Sequence, residues 1–130
     1  MNRLILVLIA AALVTGCAAT IESRKKERAA AYTQFSPEIR QLVDAGQIKV
    51  GMSPDAVYIA WGPPAQVLQS ENEGGAATIW VYEGGWMEEH RYWTRRQMQR
   101  YYEPRTYARA EVVFVNNRVK EWRTLPQPSS

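Results

Sequence analysis

An uninterrupted apolar run from Leu4 to Val14, ending three residues before the only cysteine, Cys17, takes the first sixteen residues out of any globular fold. One positive side chain, Arg3, precedes the run, and Thr15 and Gly16 separate it from Cys17, which is the layout of an export signal. The run is too short to be a membrane span. At about 1.5 Å per helical residue its eleven positions cover roughly 16 Å, about half of a bilayer's hydrocarbon core.

The string Val14-Thr15-Gly16-Cys17 resembles the lipobox of bacterial lipoproteins. That resemblance implies cleavage before Cys17, S-diacylglycerol on its thiol and an acyl group on the new amino terminus. It also accounts for the lone thiol, because an exported chain with an odd cysteine needs a partner or a covalent fate. One acyl chain holds a protein only reversibly, whereas several on one residue make a lasting anchor. In lipoproteins of many Gram-negative bacteria an Asp after the modified cysteine retains the protein at the inner membrane; Ala18 stands here, so the outer membrane, periplasmic face, is expected.

Removal of residues 1–16 leaves 114, enough for one compact domain and too few for two. The formal charge of +3 drops to +2 when Arg3 leaves, a balance that points to no nucleic-acid partner. Residues 17–35 are Ala-rich and charged, with Arg24-Lys25-Lys26-Glu27-Arg28, and read as a partly helical tether whose basic cluster either meets anionic head groups or stays solvated. A domain is expected over residues 36–124. Residues 125–130 form a loose tail.

Two short helices open the domain. Ser36 is a candidate N-cap with Pro37 at the first helical position; Ile39, Leu42 and Val43 make one stripe, and Gly46 ends the helix. The second start is sharper: Ser53 caps, Pro54 follows, and Met52 is placed to staple onto Val57. Gly62 closes this helix and Pro63-Pro64 drives the chain out extended. Residues 65–70, 77–82, 111–115 and 118–122 read as strands, the last two joined through Asn116-Asn117, which can take the positive φ angles of a tight hairpin. On such a turn Phe114 faces Val119 towards the core, with Val113, Val115 and Trp122 on the opposite face. The expected fold is therefore α+β: two short N-terminal helices on an antiparallel sheet of three to four strands.

Taken together, Val50-Gly51-Met52-Ser53-Pro54, Gly62-Pro63-Pro64, Trp80-Val81-Tyr82 and Val113-Phe114-Val115-Asn116-Asn117-Arg118-Val119 resemble the SmpA/OmlA (BamE-like) lipoproteins over about residues 36–124. The resemblance implies a small outer-membrane lipoprotein with two helices on a three-stranded antiparallel sheet, and a role accessory to the machine that inserts β-barrel proteins. The chain departs from the pattern at Trp61, where leucine is usual, at Asn117, where glycine is common, and in a long link between strands.

That link, residues 84–108, interleaves Trp86, Tyr92, Trp93, Tyr101, Tyr102 and Tyr107 with Arg91, Arg95, Arg96, Arg100 and Arg105. Its periodicity fits an extended hairpin or an inserted helix. Tyr, Trp and Arg are the side chains enriched at protein-binding hot spots, so Trp86, Arg91, Tyr92, Trp93, Arg95, Arg96, Tyr101 and Tyr102 are the candidate contact residues. The same mixture suits peptidoglycan or lipid head groups. No catalytic set is recognisable. His90 is the only histidine, and Glu88, Glu89 and His90, as neighbours on an extended chain, point to different sides and make no ligand set without help from elsewhere. A non-enzymatic envelope binding module without metal or cofactor is the expectation.

Overall fold

A computed structural model describes residues 20–128, so Cys17, residues 1–16 and the last two serines lie outside the described residues. Four helices precede four strands: α1 (Ile21–Glu27), α2 (Ala29–Gln34), α3 (Pro37–Asp44), α4 (Pro54–Trp61), then β1 (Gln66–Asn72), β2 (Gly75–Thr94), β3 (Gln97–Val115) and β4 (Arg118–Thr124). The fold is α+β, with four helices among the described residues rather than the two expected. None of them is long and apolar enough to cross a membrane.

The local start and stop signals act as anticipated. Ser36 accepts from the Ile39 amide at 3.3 Å and Ser53 from the Ala56 amide at 3.3 Å, each ahead of a proline at the first helical turn. Gly62, at φ 87°, ends α4 where a side chain would be strained. Met52 and Val57 are both fully buried in one core with Val43, Ile59, Val112, Phe114 and Val119.

From Thr20 onward, the segment expected as a tether instead packs on the domain. Thr20 caps α1 by accepting from the Ser23 amide at 3.2 Å, and α1 and α2 pack against α4. Arg24 is 9% exposed; its Nε donates to the Ile59 carbonyl at 2.9 Å and its Nη2 approaches the Ala60 carbonyl at 3.4 Å. A guanidinium thus covers the last carbonyls of α4, at the negative end of that helix dipole. The neighbouring charges are held by protein too: Lys25 pairs with Asp44 at 3.0 Å and Arg28 with Asp55 at 3.1 Å. This packing explains why α4 is apolar on two sides. Val57 and Ala60 face the sheet-side core, while Ala56 and Ile59 are also buried, as a helix enclosed between layers must be.

The sheet is an antiparallel meander in the order β1-β2-β3-β4. Trp80, Tyr82, Ala110, Val112, Phe114 and Val119 line the helix side; Trp80 and Phe114 meet edge-on at 4.9 Å, and the Tyr82 hydroxyl donates to the Gly62 carbonyl at 2.9 Å. Asn116 and Asn117 take φ of 52° and 57°, and Phe114 pairs with Val119 as expected. Trp122 does not sit where strict alternation puts it. A bulge between Val113 and Phe114 slips the register by one residue, so Trp122 pairs with Val112 and its ring meets Trp61 at 5.7 Å, on the helix side.

Candidate interaction arm

The sheet is four-stranded only at its base. β1 pairs with β2 no further than Val81, and β4 with β3 no further than Ala110, whereas β2 and β3 continue pairing to Thr94 and Gln97. The long link is thus the extended hairpin, not an inserted helix. Glu83–Thr94 and Gln97–Ala108 form a two-stranded arm which, at about 3.3 Å per residue, projects roughly 40 Å from the base. A bulge marks its root, where Tyr82 pairs with Ala110 and Glu83 with Ala108, leaving Arg109 as the extra residue.

Gly84 lets the arm leave the core. Tyr107 lies across it so closely that a Cβ on Gly84 would stand 2.8 Å from the Tyr107 ring. The same ring meets Trp86 edge-on at 5.7 Å, which gives the root an aromatic joint. Beyond it the cross-strand register divides the arm into two faces. One carries the pairs Trp86/Arg105, Glu88/Glu103, His90/Tyr101 and Tyr92/Gln99; the other carries Met87/Pro104, Glu89/Tyr102, Arg91/Arg100 and Trp93/Met98.

The eight residues expected to bind are therefore brought onto one arm but not one surface. Trp86, Tyr92 and Tyr101 share the first face, with Tyr92 and Tyr101 ring to ring at 6.1 Å. Arg91, Trp93 and Tyr102 share the second. Arg95 and Arg96 form the tip. Trp93 is 71% exposed and Tyr102 54%, and Met87 and Met98, which residue-type reasoning passed over, are exposed beside them on the second face. Alternation could have found the methionines, since each stands directly across from Pro104 or Trp93 once the hairpin register is known.

Both tip residues are in the left-handed region, at φ 47° for Arg95 and 65° for Arg96. Two arginines in that conformation resist it, where Asn or Gly would be accommodated. From His90 to Tyr102 the arm carries Arg91, Arg95, Arg96 and Arg100 and no acidic residue. Arg91 and Arg100 stand directly opposite one another, a like-charge pair that opposes the hairpin. All the arm's carboxylates lie nearer the root.

Two of those carboxylates, Glu88 and Glu103, form an ionic cluster on the first face. Glu88 and Glu103 face each other across the strands, and Arg105 ties them together, Nε to Glu88 at 2.6 Å and Nη2 to Glu103 at 3.1 Å. The Arg105 hydrogen bond holds the Glu88 carboxyl below the usual carboxylate range and raises the Arg105 guanidinium in return. On the other face Arg91 bonds Glu89 and likewise lowers its carboxyl. His90 joins the first cluster: its Nε2 lies 3.4 Å from Glu88 and 3.3 Å from Glu103. Glu88 and His90 are two apart and share a face, Glu89 points away, and the help missing from the local sequence comes from Glu103 on the facing strand.

Comparison of the chain with protein-family models, with curated proteins and with solved structures returns no match.

Proposed function

We propose that this protein is a non-enzymatic lipoprotein of the bacterial outer membrane, anchored through acylated Cys17 on the periplasmic side, whose arm holds a partner protein of the envelope. The arm carries this reading. An isolated two-stranded ribbon is marginal in water, yet this one runs far beyond its parent sheet with large aromatic and methionine side chains left open on both faces. A partner that covered Trp93, Met98 and Tyr102 on one face, or Tyr92 and Tyr101 on the other, would bury the contact types that dominate binding energy.

The anchor fits this geometry. Only Ala18 and Ala19 separate Cys17 from Thr20, the cap of α1, so three residues of chain reach at most about 11 Å between the lipidated residue and the packed domain. The domain would be held at the bilayer surface while the arm reaches outwards or sideways to its partner. The resemblance to the SmpA/OmlA family makes an accessory role in β-barrel assembly the specific form of this proposal, and helices followed by an antiparallel meander accord with it.

Photo-reactive residues in place of Tyr92 or Trp93, in intact cells, test the assignment. A specific envelope protein captured from at least one of the two sites, and not from a residue of the helical layer such as Glu22, is expected. Failure of both to capture protein while the domain stays folded would refute it. The acid-free outer half of the arm favours a second reading, recognition of peptidoglycan or anionic lipid head groups. Retention on sacculi or anionic vesicles that disappears at moderate salt would distinguish that outcome.

A further inference from the structure

We propose that Glu88, His90 and Glu103 bind a divalent transition-metal ion of the zinc class, which staples the two strands of the arm near its root. The inference stands on the side-chain geometry and is independent of what the arm binds. The His90 Nε2 and one oxygen of each carboxylate are separated by 3.4 Å and 3.3 Å, and all three donor atoms lie within 4.8 Å of one another. An ion bound tetrahedrally at about 2.0–2.1 Å has neighbouring ligand atoms about 3.3 Å apart. The spacing is that of a tetrahedral edge.

The histidine supplies the second observation. Its Nε2 is shut off from solvent and, at 3.4 Å from Glu88 and 3.3 Å from Glu103, lies beyond the usual hydrogen-bond distance of either carboxylate. The ring is held there by stacking on Tyr101, at 4.7 Å between centroids and 12° between planes. An imidazole nitrogen enclosed beside two carboxylates without a well-formed hydrogen bond is available as a metal ligand.

Arg105 decides the character of the site. With two carboxylates facing each other, its guanidinium supplies the compensating charge, and each carboxylate keeps lone pairs beyond those that Arg105 uses. A bound dication would share the carboxylates with Arg105, which would then orient them from outside. One imidazole nitrogen and two carboxylate oxygens leave a fourth position for water and favour zinc, cobalt or nickel over magnesium and calcium, which take oxygen ligands in larger number. An ion bound only to the folded hairpin stabilises it by mass action, in a ribbon that has little else to hold it closed.

The test uses the full-length lipoprotein in detergent, purified without a histidine tag. Titration with zinc chloride against a chromophoric chelator should show one saturable ion per chain, with cobalt giving the intense visible absorption of a tetrahedral site. His90→Gln and Glu103→Gln should each weaken zinc by at least about tenfold, while Glu89→Gln, on the other face, should bind as the wild type does. Hydrogen exchange of the wild-type protein gives a readout that needs no variant: zinc should slow the amides around Glu88–His90 and Tyr101–Glu103. Absence of saturable binding, or binding unchanged in both glutamine variants, would overturn the proposal.

Discussion

The base of the sheet and the arm are made of the same residue types put to opposite uses. At the base, Trp61 of α4 packs edge-on with Tyr82 and Trp80 with Phe114, and Arg24 donates to the carbonyls of α4. On the arm, Trp93, Tyr92, Tyr101 and Tyr102 remain half or more exposed, and Arg91 and Arg100 confront each other. One region is stabilised by its own contacts. The other leaves its large aromatic side chains open to solvent, and its tip keeps two arginines in a backbone conformation they resist.

The contrast breaks if the two ends respond alike to truncation. Phe114→Ala should cost about 3–5 kcal/mol in urea unfolding, because it empties a packed core site under α4. Trp93→Ala should cost no more than about 0.5 kcal/mol, as an exposed substitution does, while removing capture of the partner. Comparable losses at both sites would mean that the arm is folded into the stability of the base.

Arg24→Ala sharpens the same comparison from the helical side. It removes a charged donor from two carbonyls at the end of α4 and should lower stability by about 2 kcal/mol, with local opening of α1. If residues 17–35 were only a spacer, the variant would unfold at the wild-type urea concentration.

How far these regions were legible depends on how local their determinants are. The caps at Ser36 and Ser53, the stop at Gly62 and the Asn116-Asn117 turn act within a few residues, and each was readable from the chain. The docking of α1 and α2 was not, because the partners of Arg24, Lys25 and Arg28 include Ile59, Asp44 and Asp55, far along the chain; taken alone those charges look solvated. A trace was present in α4, whose Ala56 and Ile59 had no assigned burial. Trp122 changed faces through a single bulge, which no alternation pattern records. On the arm, two open faces leave no clean period, Arg95-Arg96 carries no turn signature, and Glu103 meets His90 only through the hairpin register. The aromatic and arginine composition nevertheless marked the segment as unusual.

Replacing Arg95-Arg96 by Asn-Gly tests whether the tip gives up stability for its charge. The pair suits a turn with two positive φ angles, so the arm should gain about 1 kcal/mol, read as slower amide exchange near the tip. Partner capture from Tyr92 should fall in the same variant. A gain in protection with undiminished capture would show that the arginines are dispensable and that the aromatic faces alone make the contact.

The smallest effect expected is the pH dependence of the ion pair between Lys25 and Asp44, which fastens α1 to the end of α3. The Lys25 hydrogen bond, assisted by one from the Tyr32 hydroxyl at 3.0 Å, holds the Asp44 carboxyl below its ordinary value, and the same pairing raises Lys25. A carboxyl whose pKa falls on folding contributes stability that is fully present above its unfolded value, about 4, and is lost as the pH drops through the folded one. Lys25, raised on folding, contributes below its unfolded value of about 10.4 and loses that contribution only in strong alkali. Both groups are partly open to water, so the pair contributes little. The thermal midpoint of Asp44→Asn should therefore lie slightly below the wild type at neutral pH, and the gap should close as the pH falls below about 4. A gap that persists in acid would assign the contact to the Tyr32 hydroxyl and to packing, and would leave α1 held chiefly by Arg24.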